Sequence, residues 1–186
     1  LGTSNSAISY VDSLGVPVIQ ENLDGDLSTP SVVWFESKAN TVVGKLAREE
    51  KLFSPNDVIE LVKRSIGTDK KWNFSGKAYT PEEISSLILR SLVPDEAADD
   101  EISAVITVPA YFGAKEREAT RNAGQIANFN VLELVAEPVA AALYYDSKQP
   151  LKDKTLLVYD LGGGTFDATI VQGIDNTFRP VSYTHL

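Results

Sequence analysis

Between Tyr159 and Gly173 the chain reads YDLGGGTFDATIVQG, three glycines held between two aspartates where one β-rich run meets another. Gly162, Gly163 and Gly164 carry no Cβ to hold a ligand off the backbone, so their amides can converge on one concavity and bind phosphate oxygens. Thr165 adds a hydroxyl donor. Asp160, at the end of the strand, can orient a magnesium ion that keeps most of its waters, and Asp167 is the weaker candidate. The same residues equally suit a tight β-turn in which glycine supplies positive φ and the aspartates cap the turn. The chain opens on a second cluster, LGTSNSA, where Gly2, Thr3, Ser4 and Asn5 offer amides and hydroxyls; alone it also reads as a frayed terminal loop. Taken together, two strand–turn–strand hairpins with small donors at their tips could grip one nucleotide from opposite sides. Neither loop leads into Gly-Lys-Ser/Thr, and neither shows G-x-G-x-x-G opening a helix, which disfavours those two common nucleotide folds.

Three further sets of side chains could act on such a ligand. In VAEPVAAAL, Glu137 is biased to an extended backbone by Pro138, and the helix that Pro138 starts helps to keep the carboxylate ionised. There it could hold a metal-bound water or orient an attacking one; a plain capping role fits as well. Lys63 and Arg64 stand where a helix C-terminus would favour cations, and Lys63 could instead stabilise a transferring γ-phosphate. Arg117 and Arg121, four residues apart, read as an exposed helix face, with a partner interface as the alternative.

Bulk composition narrows the classes. The 186 residues carry a formal charge of −9, which opposes any long contact with nucleic acid or an anionic membrane while leaving room for a small nucleotide. There is no cysteine and a single histidine, so thiolate chemistry, disulfides and histidine-based catalysis or zinc binding are out. No apolar run reaches the roughly 18 residues a membrane span needs, and no signal-peptide pattern opens the chain. A cytoplasmic location is expected.

The elements that must position these residues fall into two styles. Ala7 to Val11 and Val16 to Ile19 flank DSLG, and Ser31 to Glu36 and Thr41 to Val43 flank SKAN, so the first part is antiparallel β. Helical spacing follows at Lys45 to Phe53 and at Asp57 to Ile66, where Val58, Leu61, Val62 and Ser65 share a face and Gly67 stops the helix. In KAYTPEEISSLILRSLV, Thr80 is an N-cap, Pro81 takes the first helical position and Glu83 completes a capping box; DEAADDE then reads as a solvated acidic connector. From Glu101 the order is strand ISAVITVP, a helix with a small inward stripe of Ala119, Ala123 and Ala127, strand NVLELVAE, helix PVAAALYYD, strand KTLLVYDLGGG and paired strand TFDATIVQG. This alternation predicts an α/β sheet with right-handed crossovers.

VITVPAYFGAKEREATRNAGQIA, AEPVAAAL and VYDLGGGTFD, in this order and spacing, resemble the ATPase domain of heat-shock protein 70 (DnaK-type) chaperones. LGTSNSA, TPSVV, VGKLA and VKRSIG match earlier landmarks of that domain, so the resemblance covers nearly the whole chain. It implies the actin-like ATPase (ribonuclease H-like) α/β fold, with ATP or ADP and Mg2+ in a cleft between two lobes. Residues 1–150 would form the first lobe, with a reduced peripheral subdomain around 20–100, and 151–177 the opening hairpin of the second. Gly2, Thr3 and Ser4 would belong to the first phosphate loop, and Gly162, Gly163, Gly164 and Thr165 to the second. Lys63 takes the place of the catalytic lysine, which overrides its helix-cap reading. Glu137 is linked to the attacking water and the metal, Asp160 holds magnesium through water, and Pro109 and Arg117 relay the nucleotide state. The implied partners are unfolded client peptides, bound by a domain outside this chain, a nucleotide-exchange factor and a J-domain co-chaperone.

Several departures from the pattern qualify these expectations. The family's first magnesium-linked aspartate would immediately precede Leu1, and the adenosine-binding segments would follow Gly173, so a fragment with little activity of its own is expected. The stretch from Gly67 to Thr80 is shorter than in common members, which points to a divergent bacterial-type branch. Glu133 stands where many members carry an arginine, and the reversed charge opposes standard J-domain docking. FRPVSYTHL, residues 178–186, does not continue the pattern and reads as a foreign tail, so His185 receives no role. An actin-like filament protein and a sugar or acetate kinase of the same fold are the competing functions.

Overall fold

The computed structural model describes residues 1–94, 101–149, 151, 153–163, 165–174 and 177–185. Gly164 and most of the acidic connector lie outside the described residues. Strands β1 (Asn5–Ser6), β2 (Ser9–Val11), β3 (Pro17–Ile19), β4 (Thr29–Pro30), β5 (Val32–Trp34) and β6 (Val42–Val43) precede helix α1 (Lys45–Glu50). Next come β7 (Val58–Glu60), a 3₁₀ turn (Val62–Ser65), β8 (Trp72–Phe74), β9 (Lys77–Tyr79) and helix α2 (Pro81–Arg90). The chain continues through β10 (Ile102–Val108), α3 (Ala114–Ile126), β11 (Phe129–Ala136) and α4 (Glu137–Lys148) to β12 (Thr155–Leu161), β13 (Phe166–Ile174) and β14 (Thr177–His185). The fold is mixed α/β built on small sheets: β1 with β4, β2 with β3, β6-β5-β7, β8 with β9, β10 with β11, and β12-β13-β14.

Two packed units position the site. In the first, Ile84 and Ile88 of α2 are fully buried against Val33, Ile59 and Val62, and the rings of Phe35 and Phe74 stack 4.0 Å apart. Helix α2 begins as expected: Glu83 N–H donates to Thr80 Oγ1 at 3.2 Å, and Thr80 N–H donates to Glu83 Oε2 at 2.9 Å. In the second, β10 and β11 pair in parallel across the α3 crossover, and Ala119, Ala123 and Ala127 lie buried against them. Gly124 brings the helix closest to the sheet. A Cβ there would lie 2.6 Å from Val131 Cγ2 and 2.8 Å from Ile106 Cδ1, and the β-branched Val131 cannot swing away. Overpacking therefore outweighs the helix propensity gained, and Gly124→Ala is expected to destabilise the fold by about 1–2 kcal/mol. A fall in melting temperature of about 2–8 °C in thermal unfolding checks this.

The structure corrects two expectations about elements and adds two features. Asp57 to Ile66 is not a helix: Val58, Ile59 and Glu60 pair with β5, and Leu61, at φ 57° and ψ 26°, turns the strand abruptly into the 3₁₀ turn. The first Gly-hydroxyl loop leads into β1, which pairs with the distant β4, and the β2–β3 hairpin turns at Asp12 to Gly15. The β8–β9 hairpin is an added feature, in which Ser75 at φ 48° and Gly76 at φ 82° form the two-residue loop between aromatic strands. Finally, β12 does not extend the β10–β11 sheet but pairs antiparallel with its neighbour β13. The segment from Thr177 runs as β14 along β13; such pairing uses backbone groups only, so it is open to a segment of any origin.

Candidate nucleotide cleft

Loop 2–5 and the β12–β13 connection face each other across a cleft of about 350 Å³, with Lys63, Glu137, Asp160 and Asp167 in its lining. The two loops touch: a Cβ on Gly163 would lie 2.7 Å from Ser4 Cβ, so a side chain there would force the two loops apart. On the first side, Gly2 is held where the chain doubles back, since a Cβ on it would meet Asn5 O at 1.9 Å. Arg48 of α1 reinforces this loop by donating to Ser4 O at 3.2 Å and to Asn5 Oδ1 at 3.1 Å.

Lys63 reaches the cleft from the 3₁₀ turn, and its Nζ donates to Glu137 Oε1 at 2.6 Å. The lysine side chain is 9% exposed and the glutamate 22%, so the pair is sheltered from water yet open on its carboxylate side. Pro138 lies in the first turn of α4 as the sequence predicts, but the helix begins one residue earlier, with Glu137 inside it and Ala136 as the extended N-cap. Phe112, in the β10–α3 connection, lies with its ring centroid 6.0 Å from Lys63 Nζ.

Asp160 and Asp167 stand directly opposite each other in the β12–β13 register. Like charges so placed repel, and the repulsion calls for a cation or a proton. Thr165 Oγ1 donates to Asp167 Oδ2 at 3.4 Å, whereas Asp167 Oδ1 is buried with no hydrogen-bond partner among the described residues. Burial raises the Asp167 carboxyl above its ordinary value of 3.8; the Thr165 hydroxyl opposes this, while Asp160 and Glu137 add to it. Burial and then the charges of Asp167 and Glu137 likewise raise the Tyr111 phenol. Among the described residues no three potential ligands form a metal cage. The donor set fits a magnesium ion held mainly by water and phosphate oxygens, which needs few protein carboxylates.

The structure thus brings together Gly2, Thr3, Ser4, Lys63, Glu137, Asp160, Gly162, Gly163 and Thr165 around one cleft. Within the loops, Gly2 N–H donates to Ser6 Oγ at 3.1 Å and Gly162 N–H to Thr165 O at 2.9 Å, so both amides take part in shaping the loops. Asp167, the weaker candidate in the sequence, is the acid with the unpartnered buried oxygen; its symmetry with Asp160 about the glycine turn was the signal for it. Pro109 and Arg117 flank the β10–α3 connection rather than the cleft floor: Pro109 O accepts from Phe112 N–H at 3.2 Å, and Arg117 Nε donates to Phe112 O at 3.0 Å. Neither arginine of α3 is a free surface cation, because Arg121 Nη1 donates to Val131 O at 2.7 Å. Glu133 is exposed on β11. No helix among the described residues is long and apolar enough to cross a membrane.

The Hsp70 protein family matches residues 1–73 and 69–182. The two matched segments meet within the stretch between Gly67 and Thr80 where the sequence reads as shortened. Both glycine loops, the lysine–glutamate pair and the opposed aspartates fall inside the matched residues, and the chain belongs to the Hsp70 family.

Proposed function

We propose that this cleft binds ATP with magnesium and hydrolyses it, as part of a cytoplasmic chaperone whose nucleotide state controls peptide binding by a domain outside this chain. Membership of a family of chaperone ATPases supports the general activity. The observation that carries the specific reading is the Lys63–Glu137 pair, sheltered at the base of a cleft with a glycine-hydroxyl loop on each side. No hydrogen bond joins the amides of Thr3 and Ser4 to another described residue, which leaves them as donors for phosphate oxygens. Lys63 stabilises charge on the transferring phosphoryl group, and Glu137 orients the attacking water. Magnesium, held through water by Asp160 and Glu137, neutralises phosphate charge. Asp167 completes the acidic wall.

Nucleotide state would leave the cleft through Lys63, Phe112 and the Pro109–Arg117 connection, since Arg117 is tied to Phe112 and Phe112 lies beside Lys63. Client peptides and a nucleotide-exchange factor complete the cycle, and Glu133 opposes the usual J-domain contact. Calorimetric titration of this chain with MgATP is expected to give dissociation constants of about 10 µM to 1 mM. No heat and no thermal shift with MgATP at about 5 mM would overturn the assignment, and sub-micromolar binding would overturn the expected weakness. Gly163→Ala tests the contact between loops. Its methyl collides with Ser4, so MgATP affinity should fall by about ten-fold or more while the melting temperature, set by cores elsewhere, changes little.

A further inference from the structure

The structure assigns Ser6 and Ser31 a role as positioning residues that hold the first phosphate loop in register, through a closed ring of hydrogen bonds. Three contacts define the ring: Gly2 N–H donates to Ser6 Oγ at 3.1 Å, Ser6 Oγ and Ser31 Oγ are 2.9 Å apart, and Ser31 Oγ donates to Gly2 O at 2.9 Å. A hydroxyl has one proton. That of Ser31 goes to Gly2 O, so Ser6 must donate to Ser31, and every member both gives and accepts. The order of protons is therefore unique, and such chains strengthen one another in a dry setting. Ser6 is 3% exposed and Ser31 1%, so water does not replace a lost partner at little cost.

Ser31 also fixes the loop a second time, because its backbone N–H donates to Ser4 O at 2.9 Å. One residue at the β4–β5 junction thus holds both Gly2 and Ser4, the residues on either side of Thr3. With the carbonyl of Gly2 turned inward to Ser31, the Thr3 amide in the same peptide plane keeps a fixed direction relative to the cleft, and the hold on Ser4 O anchors the other end of the loop. Loop 2–5 gains by this means a rigidity that its short, polar sequence would not supply. The consequence for phosphate binding rests on the function proposed above; the claim about loop register does not.

Ser6→Ala and Ser31→Ala in the 186-residue chain separate the two. Hydrogen exchange at the amides of residues 2 and 31 is expected to speed up on the order of ten-fold, with Phe35 and Ala127 unchanged. Affinities for MgATP and for magnesium tripolyphosphate should fall by one common factor, about five- to thirty-fold, because the change lies in the phosphate subsite. A ring is broken once, so the double variant should be within about two-fold of the worse single one. Exchange within two-fold of wild type at residues 2 and 31 in both variants would overturn the positioning role. So would equal acceleration at Phe35 and Ala127, which marks a general stability element. If residues 2 and 31 loosen selectively while the unaltered chain binds neither phosphate probe, the ring stands and the nucleotide function falls.

Discussion

Replacing Lys63 by alanine is expected to cut ATP turnover by about a hundred- to a thousand-fold, the range for losing one preorganised charge-stabilising group. The effect should fall on the catalytic step and leave nucleotide binding largely intact, because the phosphate loops and the acidic wall remain. Turnover is measured as phosphate release by the chain joined to the remainder of its ATPase domain; wild-type rates in the variant would sink the catalytic assignment. Stability gives an independent reading. Lys63 is 9% exposed and bonded to Glu137 at 2.6 Å, so its removal leaves a carboxylate that is only 22% exposed without its partner. Fully buried pairs lose about 3–5 kcal/mol in this way, and the water that reaches Glu137 reduces the expected loss to about 1–3 kcal/mol. Glu137→Gln in the Lys63→Ala background removes the stranded charge and should restore part of that loss, so turnover and stability separate. A double variant as unstable as Lys63→Ala would show that the stability effect comes from lost packing of the lysine stem instead.

How far such residues can be read from sequence depends on how local their determinants are. The start of α2 is fully legible, because Thr80 and Glu83 satisfy each other's backbone within four residues. The β10–α3–β11 unit is legible too, since its small inward stripe needs only a sheet to lie against. Asp57 to Ile66 is not. Its apolar spacing fits a helix, but the outcome is decided by β5, more than twenty residues earlier, and by a left-handed Leu61 that no local rule favours. Lys63 therefore reaches the cleft from a 3₁₀ turn rather than from a helix end. The glycine loops show the same boundary: their composition suits a phosphate cradle and a tight turn alike, and only the fold reveals that the amides of Gly2 and Gly162 bond within their own loops. Ser6 and Ser31 are ordinary serines in sequence, and they acquire a role only when β1 pairs with β4.

Asp160 and Asp167 make the acidic wall the second place where one substitution should have a large effect, and the sign depends on whether magnesium is present. Without metal, Asp167 is destabilising in its ionised form: it faces Asp160 across the ladder, and one of its oxygens is buried with no partner among the described residues. Its folded pKa is raised above 3.8, so the native state holds the proton more tightly than the unfolded chain does. Stability from this group is fully present below the unfolded value and declines as pH rises through the raised folded value. Asp167→Asn removes that decline. The variant should match the wild type near pH 3, then become progressively more stable, reaching about 1 kcal/mol at neutral pH. Magnesium reverses the comparison, because a bound cation relieves the repulsion only where both carboxylates exist. At magnesium about ten times its dissociation constant in the presence of ATP, the wild type gains about 1.4 kcal/mol by mass action, and the variant gains little. Asp160→Asn should behave alike in metal response and also reduce turnover by about a hundred-fold. Thermal unfolding across pH, with and without MgATP, reads both effects; equal metal stabilisation of the wild type and both variants would place the cation away from these two strands.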